Sequence, residues 1–225
     1  MVGRVHRLAI AHVRTGFAVI SLITACSEPQ TLEATAPPTT NAVATTVRLL
    51  TLEATGAPLA PGRYTRTDFL PTITFDLDDD WEAVQLEDGF FDVQMDSGSP
   101  DVIAIQFARP SRVVGNEEEV EPTSAAAAVA ILGRNADLEV VESSGSRIGG
   151  LEGSQVTVEN AGSRPVSVMR VPPGLLGIDP GRRLWIAFFD TADGLLAIMI
   201  GGASAEWEAA LAAAEPVLES VAIGD

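Results

Sequence analysis

Two apolar runs, Leu184-Trp185-Ile186-Ala187-Phe188-Phe189 and Leu195-Leu196-Ala197-Ile198-Met199-Ile200, stand on either side of a short polar stretch that ends in Asp193-Gly194. Six consecutive apolar residues leave no polar face, so a strand made of them has to be covered on both sides. Asp-Gly is turn chemistry. The pair therefore belongs at the centre of a sheet, with other parts of the chain packed above and below it.

The remaining strands read differently. Ile73, Phe75 and Leu77 alternate with Thr74 and Asp76, which is the period of a half-buried strand. Phe90 to Met95, Val102 to Phe107, Leu138 to Glu142, Gln155 to Glu159 and Val166 to Val171 are further strand candidates, and Arg63 to Thr67 is a short one at an edge. Asp78-Asp79-Asp80 and Gly149-Gly150 read as turns. The stretches Ser111 to Pro122 and 172–181 read as loops. Two helices are expected. Ser124 or Thr123 caps an Ala-rich run, Ala125 to Leu132, that Gly133 stops. Ser204 caps a second, in which Trp207, Leu211, Ala214 and Leu218 form one stripe and Pro216 kinks or ends the helix. About eight strands joined by short turns, with two helices far apart in sequence, define an α+β class: a mainly antiparallel β-sheet packed with two helices.

The N-terminus carries a different signal. Residues 1–16 hold Arg4, Arg7 and Arg14 and no acid, and an apolar core follows from Phe17 to Ala25. A basic start, a short apolar run and small residues before the cut form a secretory signal. The run is too short to cross a bilayer, which takes about 20 residues. The chain's one cysteine, Cys26, follows directly on Ile23-Thr24-Ala25. This stretch resembles the bacterial lipobox. The resemblance implies that Cys26 carries a diacylglycerol, that residues 1–25 are a lipoprotein signal peptide, and that the mature protein is a lipid-anchored protein of the cell membrane, on its extracytoplasmic face. Residues 26–60 hold the lipidated cysteine and a disordered Thr/Pro/Ala-rich tether, whose reach as a coil is about 30–35 Å. Within it, Val47 to Glu53 is apolar and is also readable as an early edge strand or a helical turn. The globular domain takes residues 61–225.

Composition excludes much of catalysis. The chain has no lysine, and its two histidines, His6 and His12, lie in the signal. After residue 25 there remain Asp, Glu, Ser, Thr, Arg and Tyr64. Serine–histidine and cysteine–histidine nucleophiles, Schiff-base lysines and His/Cys metal sites are thereby removed. No catalytic residue, no metal ligand and no cofactor is assigned. All 31 acids follow residue 25, against 11 of the 14 arginines, a balance of −20. Such a surface repels nucleic acid and anionic headgroups, so the expected partners are the membrane, through the lipid anchor, and an unknown protein or ligand.

Leu59, Pro61-Gly62, Tyr64, Phe69, Pro71, Ile73, Phe75, Leu77, Trp81 and Gly89-Phe90-Phe91 resemble the opening of small PsbP-like domains. Pro216-Val217-Leu218, Ser220-Val221 and Ile223 are similar to their C-terminal part. Lipoproteins of the LpqN type from high-GC bacteria look alike. The resemblance implies an antiparallel sheet between helices and an accessory or binding role without catalysis.

Three constellations carry alternatives. Asp76, Asp78, Asp80 and Glu87 fit positions 1, 3, 5 and 12 of an EF-hand loop, but Trp81 stands where the sharp turn needs glycine. The Glu117 to Glu121 run reads as a charged loop. Tyr64, Trp81, Trp185 and Trp207 suit either a core or a sugar or lipid pocket. The leading expectation is a non-catalytic binding or accessory module for a protein, small or lipidic ligand. The alternative is a carboxylate-dependent hydrolase acting on envelope glycans, which a pocket with two convergent acids and an exposed aromatic would favour.

Overall fold

A computed structural model describes residues 46–116 and 118–224. The signal, Cys26 and most of the expected tether lie outside the described residues. Those described belong to the unit Val43–Asp225.

The strands are β1 (Val47–Leu49), β2 (Ala57–Pro58), β3 (Gly62–Arg66), β4 (Ile73–Leu77), β5 (Trp81–Glu87), β6 (Phe90–Met95), β7 (Ile103–Ala108), β8 (Arg112–Gly115) and β9 (Glu118–Val120). After helix α1 (Ala125–Leu132) come β10 (Glu139–Ile148), β11 (Leu151–Glu159), β12 (Val166–Val171), β13 (Gly174–Ile178), β14 (Arg182–Thr191) and β15 (Gly194–Ala203). Helix α2 (Trp207–Ser220) and β16 (Ala222–Ile223) close the chain.

An eight-stranded sheet in the order β10-β11-β14-β15-β7-β6-β5-β2 is the central layer. The apolar runs 184–189 and 195–200 are the middle of β14 and β15, which pair antiparallel from Arg182↔Ala203 to Thr191↔Gly194. Their side chains alternate between two cores, as strand geometry requires. Leu196, Ile198 and Ile200 enter one core with Ala187, Phe189, Phe91 and Phe107. Ala197 and Met199 enter the other with Ile186 and Phe188. The first core is covered by α2 and by the sheet β1-β3-β4-β16, through Phe75, Leu77, Trp207, Ala210, Ala214 and Val217. Phe75, Phe91 and Phe107 stack there, the last two with ring centres 4.6 Å apart. The second core is covered by α1 and by the sheet β13-β12-β8-β9. The fold is α+β and mainly antiparallel, with two helices, as the strand pattern indicates. The β1–β3 pairing is parallel.

Several boundaries differ from those expected. The domain begins before Pro61: β1 and β2 pair with β3 and β5, and Leu50 and Leu59 are buried. Consequently β3 is flanked on both sides and is no edge strand. Within the stretch 111–122, β8 pairs with β9 on one side and with the edge of β12 on the other, and Arg170 of β12 donates two 2.6 Å hydrogen bonds to Glu119. The stretch 172–181 contains β13 for the same reason, that β12 offers it an edge. Ser204 opens a 3-10 turn, Ser204–Glu206, instead of capping α2. Helix α2 continues through Pro216 to Ser220. No helix of the described residues is long and apolar enough to cross a membrane.

Candidate functional site

Helix α2 buries only half of the expected stripe fully, Trp207 and Ala214. Trp207, Ala210, Ala214 and Val217 are its buried residues, while Leu211 and Leu218 are only partly covered. Gly202 allows this close seat, because a Cβ there would come within 2.8 Å of the Ala210 methyl. Turned this way, the helix leaves a groove of about 450 Å³ between its flank and the sheet. Its floor is Trp185 of β14, half-buried, with Gln155 of β11 and Ile200 of β15. Leu211 and Leu218 form the helix wall, and Glu208 and Glu215 stand exposed along its length.

Local structure fixes the floor. Trp185 pairs with Thr157 on one side and Ile200 on the other, so neither neighbouring strand can slide without breaking the ladder. Two residues away on the same face, Arg183 pairs with Glu159 across β14 and β11 at 2.6 Å. That hydrogen bond to Arg183, ahead of the opposing effect of burial, holds the Glu159 carboxyl below the usual glutamate range. The groove thus combines an anchored indole, two leucines, one amide and a carboxylate rim. It is lined mainly by apolar side chains with few polar ones, the usual make-up of a ligand site.

Of the four aromatic candidates, Trp185 alone opens to such a space. Tyr64, Trp81 and Trp207 are buried in the first core. The sequence does not mark Leu211, Leu218 or Gln155 as site residues. The two leucines obey the helical period and pass for core, and only the polar Gln155 beside apolar Val156 hints at an uncovered position.

Glu208 and Glu215 do bring two acids to an aromatic, the arrangement that would favour hydrolysis. Their chemistry does not suit it. Seven residues apart on one helix, their Cα atoms are separated by about 10.5 Å along the axis. Both stand exposed to solvent along the open side of the groove, with no wall to exclude water from them.

The acidic turn before β5 has other uses. Asp76 accepts two 2.8 Å bonds from Arg63, and Asp78 accepts one of 2.7 Å from the Trp81 indole. Asp80 takes a positive φ of 76°, which turns the chain into β5. Among the described residues no cluster of three or more acids, histidines or cysteines is placed to hold a metal ion.

A larger cleft, about 720 Å³, runs between loops over Gly89, Arg109, Arg112, Glu121 and Asp193. Its lining carries charges of both signs, and the Arg109 guanidinium is taken up by the Asp193 carbonyl. We favour the smaller groove because an apolar, aromatic floor gives binding energy that a polar cleft of mixed charge does not.

No family model and no curated protein matches the chain. Among solved structures, cyanobacterial PsbP (CyanoP) from Synechocystis sp. PCC 6803 matches with a TM-score of 0.43 at 11% identity, over 73% of this chain and 92% of that one. LpqN of Mycobacterium tuberculosis, described as involved in cell envelope biogenesis, matches with a TM-score of 0.39 at 11% identity, again over 73% and 92%. A protein of Bacteroides thetaiotaomicron VPI-5482 matches with a TM-score of 0.34 at 9% identity, over 68% of this chain and 45% of that one. At such values the fold assignment rests on the strands and helices described above, not on these likenesses.

Proposed function

We propose that this chain is a lipid-anchored, extracytoplasmic binding module without catalytic activity, and that it takes its ligand in the groove over Trp185. The anchor reading rests on Arg4, Arg7 and Arg14, the apolar run and Cys26. The binding reading rests on one observation above all. The indole of Trp185 is fixed by ladders on both sides yet half open to a space walled by Leu211 and Leu218. An apolar or planar portion of a partner protein, a small molecule or a lipidic ligand fits such a floor. The absence of lysine from the chain, and of histidine after residue 12, supports the non-catalytic half of the reading.

Two experiments test it. Cys26→Ser is expected to abolish acylation and to leave the signal uncut, read by mass spectrometry as a heavier chain without lipid; unchanged processing and acylation would remove the anchor from the proposal. For the groove, wild type and Trp185→Ala are purified from native membranes and the co-purifying material compared by mass spectrometry. Loss of a specific companion from the variant is expected, at a cost of about 2 kcal/mol or more in binding for a central aromatic anchor. Equal recovery from both would place the ligand elsewhere.

A further inference from the structure

The groove over Trp185 carries a charge pattern that narrows what can occupy it. Among the described residues that line it, Glu208 and Glu215 are the charged ones, and no arginine joins them. Neither glutamate has an ion pair among the described residues, whereas Asp76, Glu119 and Glu159 are each held by an arginine. Glu208, Leu211, Glu215 and Leu218 step along α2 by three, four and three residues, so acid and leucine alternate on one stripe of the groove wall. Beside them stands the half-open indole of Trp185. An indole is the best aromatic partner for a guanidinium or ammonium group, and leucines cover the alkyl stem that carries such a group. The same rim repels fatty-acid carboxylates and phosphate headgroups. The groove therefore suits positive charge on an apolar body.

Spacing selects the form of that body. The Cα atoms of Glu208 and Glu215 are separated by about 10.5 Å along the helix axis. On a second helix laid along the groove, residues seven apart share a face and repeat at that same distance. On an extended segment, residues sharing a face recur at about 6.7 and 13 Å, and neither matches. The wall from Glu208 to Leu218 is about 15 Å long, close to three helical turns. We propose, on the premise that this groove is the binding site, that its occupant is an amphipathic helix of a partner protein, with arginine or lysine at two positions seven apart and apolar residues three and four places from each. The basic residues meet Glu208 and Glu215, and the apolar ones meet Leu211, Leu218 and Trp185. This is helix-in-groove recognition, with the two carboxylates setting the charge of the partner.

The test uses the chain from Ser27 to Asp225, which holds both cores and every described residue. Two helical peptide probes of alanine and leucine differ at two positions seven apart, arginine in one and glutamine in the other. A third is the arginine probe with a central proline. Titrated by calorimetry at about 0.15 M salt, the arginine probe is expected to bind at about 100 μM or tighter, and the other two about fivefold or more weaker. Trp185→Ala is expected to weaken the arginine probe about tenfold or more. Glu208→Gln with Glu215→Gln is expected to bring the arginine probe down to the glutamine one. Glu139→Gln with Glu142→Gln, the same loss of charge on the exposed part of β10, is expected to leave the fivefold difference in place. Binding indifferent to Trp185→Ala overturns the groove itself as the site. Binding that needs Trp185 but is equal for the arginine and glutamine probes leaves the groove standing and overturns the basic partner, as does an equal effect of the two pairs of substitutions. Equal binding of the proline probe overturns the helical form, and no binding of the arginine probe at about 1 mM overturns the whole proposal.

Discussion

At the scale of single residues, Asp92 is the side chain whose surroundings most oppose its charge. It sits on β6 and is 3% exposed, accepting 2.7 Å bonds from the Gln85 amide N–H and from Gln94 Nε2. Burial is the larger influence and raises its carboxyl above the ordinary aspartate range, against the pull of those donors. Between the unfolded value and the raised folded one, the folded chain keeps a proton that the unfolded chain has lost. Asp92 therefore favours the fold at low pH, and its contribution falls as pH rises through that window. Asp92→Asn is expected to leave the melting temperature near wild type at pH 4 and to raise it by about 2–4 °C at pH 8, the response of a domain this size to about 1 kcal/mol. A shift that is the same at both pH values would show that ionisation of Asp92 plays no part. The opposite dependence belongs to Asp68, Asp76 and Glu159, whose hydrogen bonds to Arg66, Arg63 and Arg183 hold them below their usual range. Their help is lost as pH falls. None of this is legible in the sequence, where Asp92 is one acid of 31 inside an apolar strand. The partners that decide its state come from Gln85 of β5, from Gln94 on the same face of its own strand and from Gln106 of β7.

At the scale of elements, the sequence speaks clearly where a segment's own pattern suffices. Ile73 to Leu77, Phe90 to Met95 and Ala125 to Leu132 have the boundaries that alternation, capping and alanine propensity assign to them. It fails where an element exists because another one offers it an edge. β8, β9 and β13 are short, contain glycine or acids, and form because β12 lies between them. The groove was hidden by the same kind of effect. Leu211 and Leu218 follow the helical period as faithfully as Ala210 and Val217, and only the sheet determines which set faces it. Pro216 is an instructive case. It lacks the N–H that would bond the carbonyl of Ala212, yet α2 continues, because Ala212 and Pro216 are exposed and that carbonyl is open to solvent. Pro216→Ala, which restores the donor, is expected to stabilise the domain by about 1 kcal/mol or more, read as a higher urea midpoint. A lower midpoint would mean that the ring packs usefully where it stands.

At the scale of the whole molecule, the composition and the two central runs are enough to indicate α+β layers, and those layers are present. The N-terminal limit of the domain is not so readable, because residues 46–60 are rich in the Thr, Ala and Pro of a linker and owe their order to long-range contacts. Arg48 reaches back to the carbonyls of Ala60 and Pro61 at 2.8 and 2.7 Å, while Leu50 and Leu59 fill the first core. A chain starting at Pro61 is therefore expected to lose about 3–6 kcal/mol, two leucines at about 1.5–3 kcal/mol each, when compared by urea unfolding with one starting at Val43. Equal stability would return those residues to the tether. The order in which the layers can be completed also follows from the topology. β4 pairs with β3 through a short loop, but its other edge is met only by β16, Ile73 opposite Ile223. Closing so long a loop carries its entropic cost before the contact returns anything, which places this pairing late and slows folding. Until the last strand arrives, β4 is an unprotected edge, and a nascent or refolding chain is most prone to aggregate there.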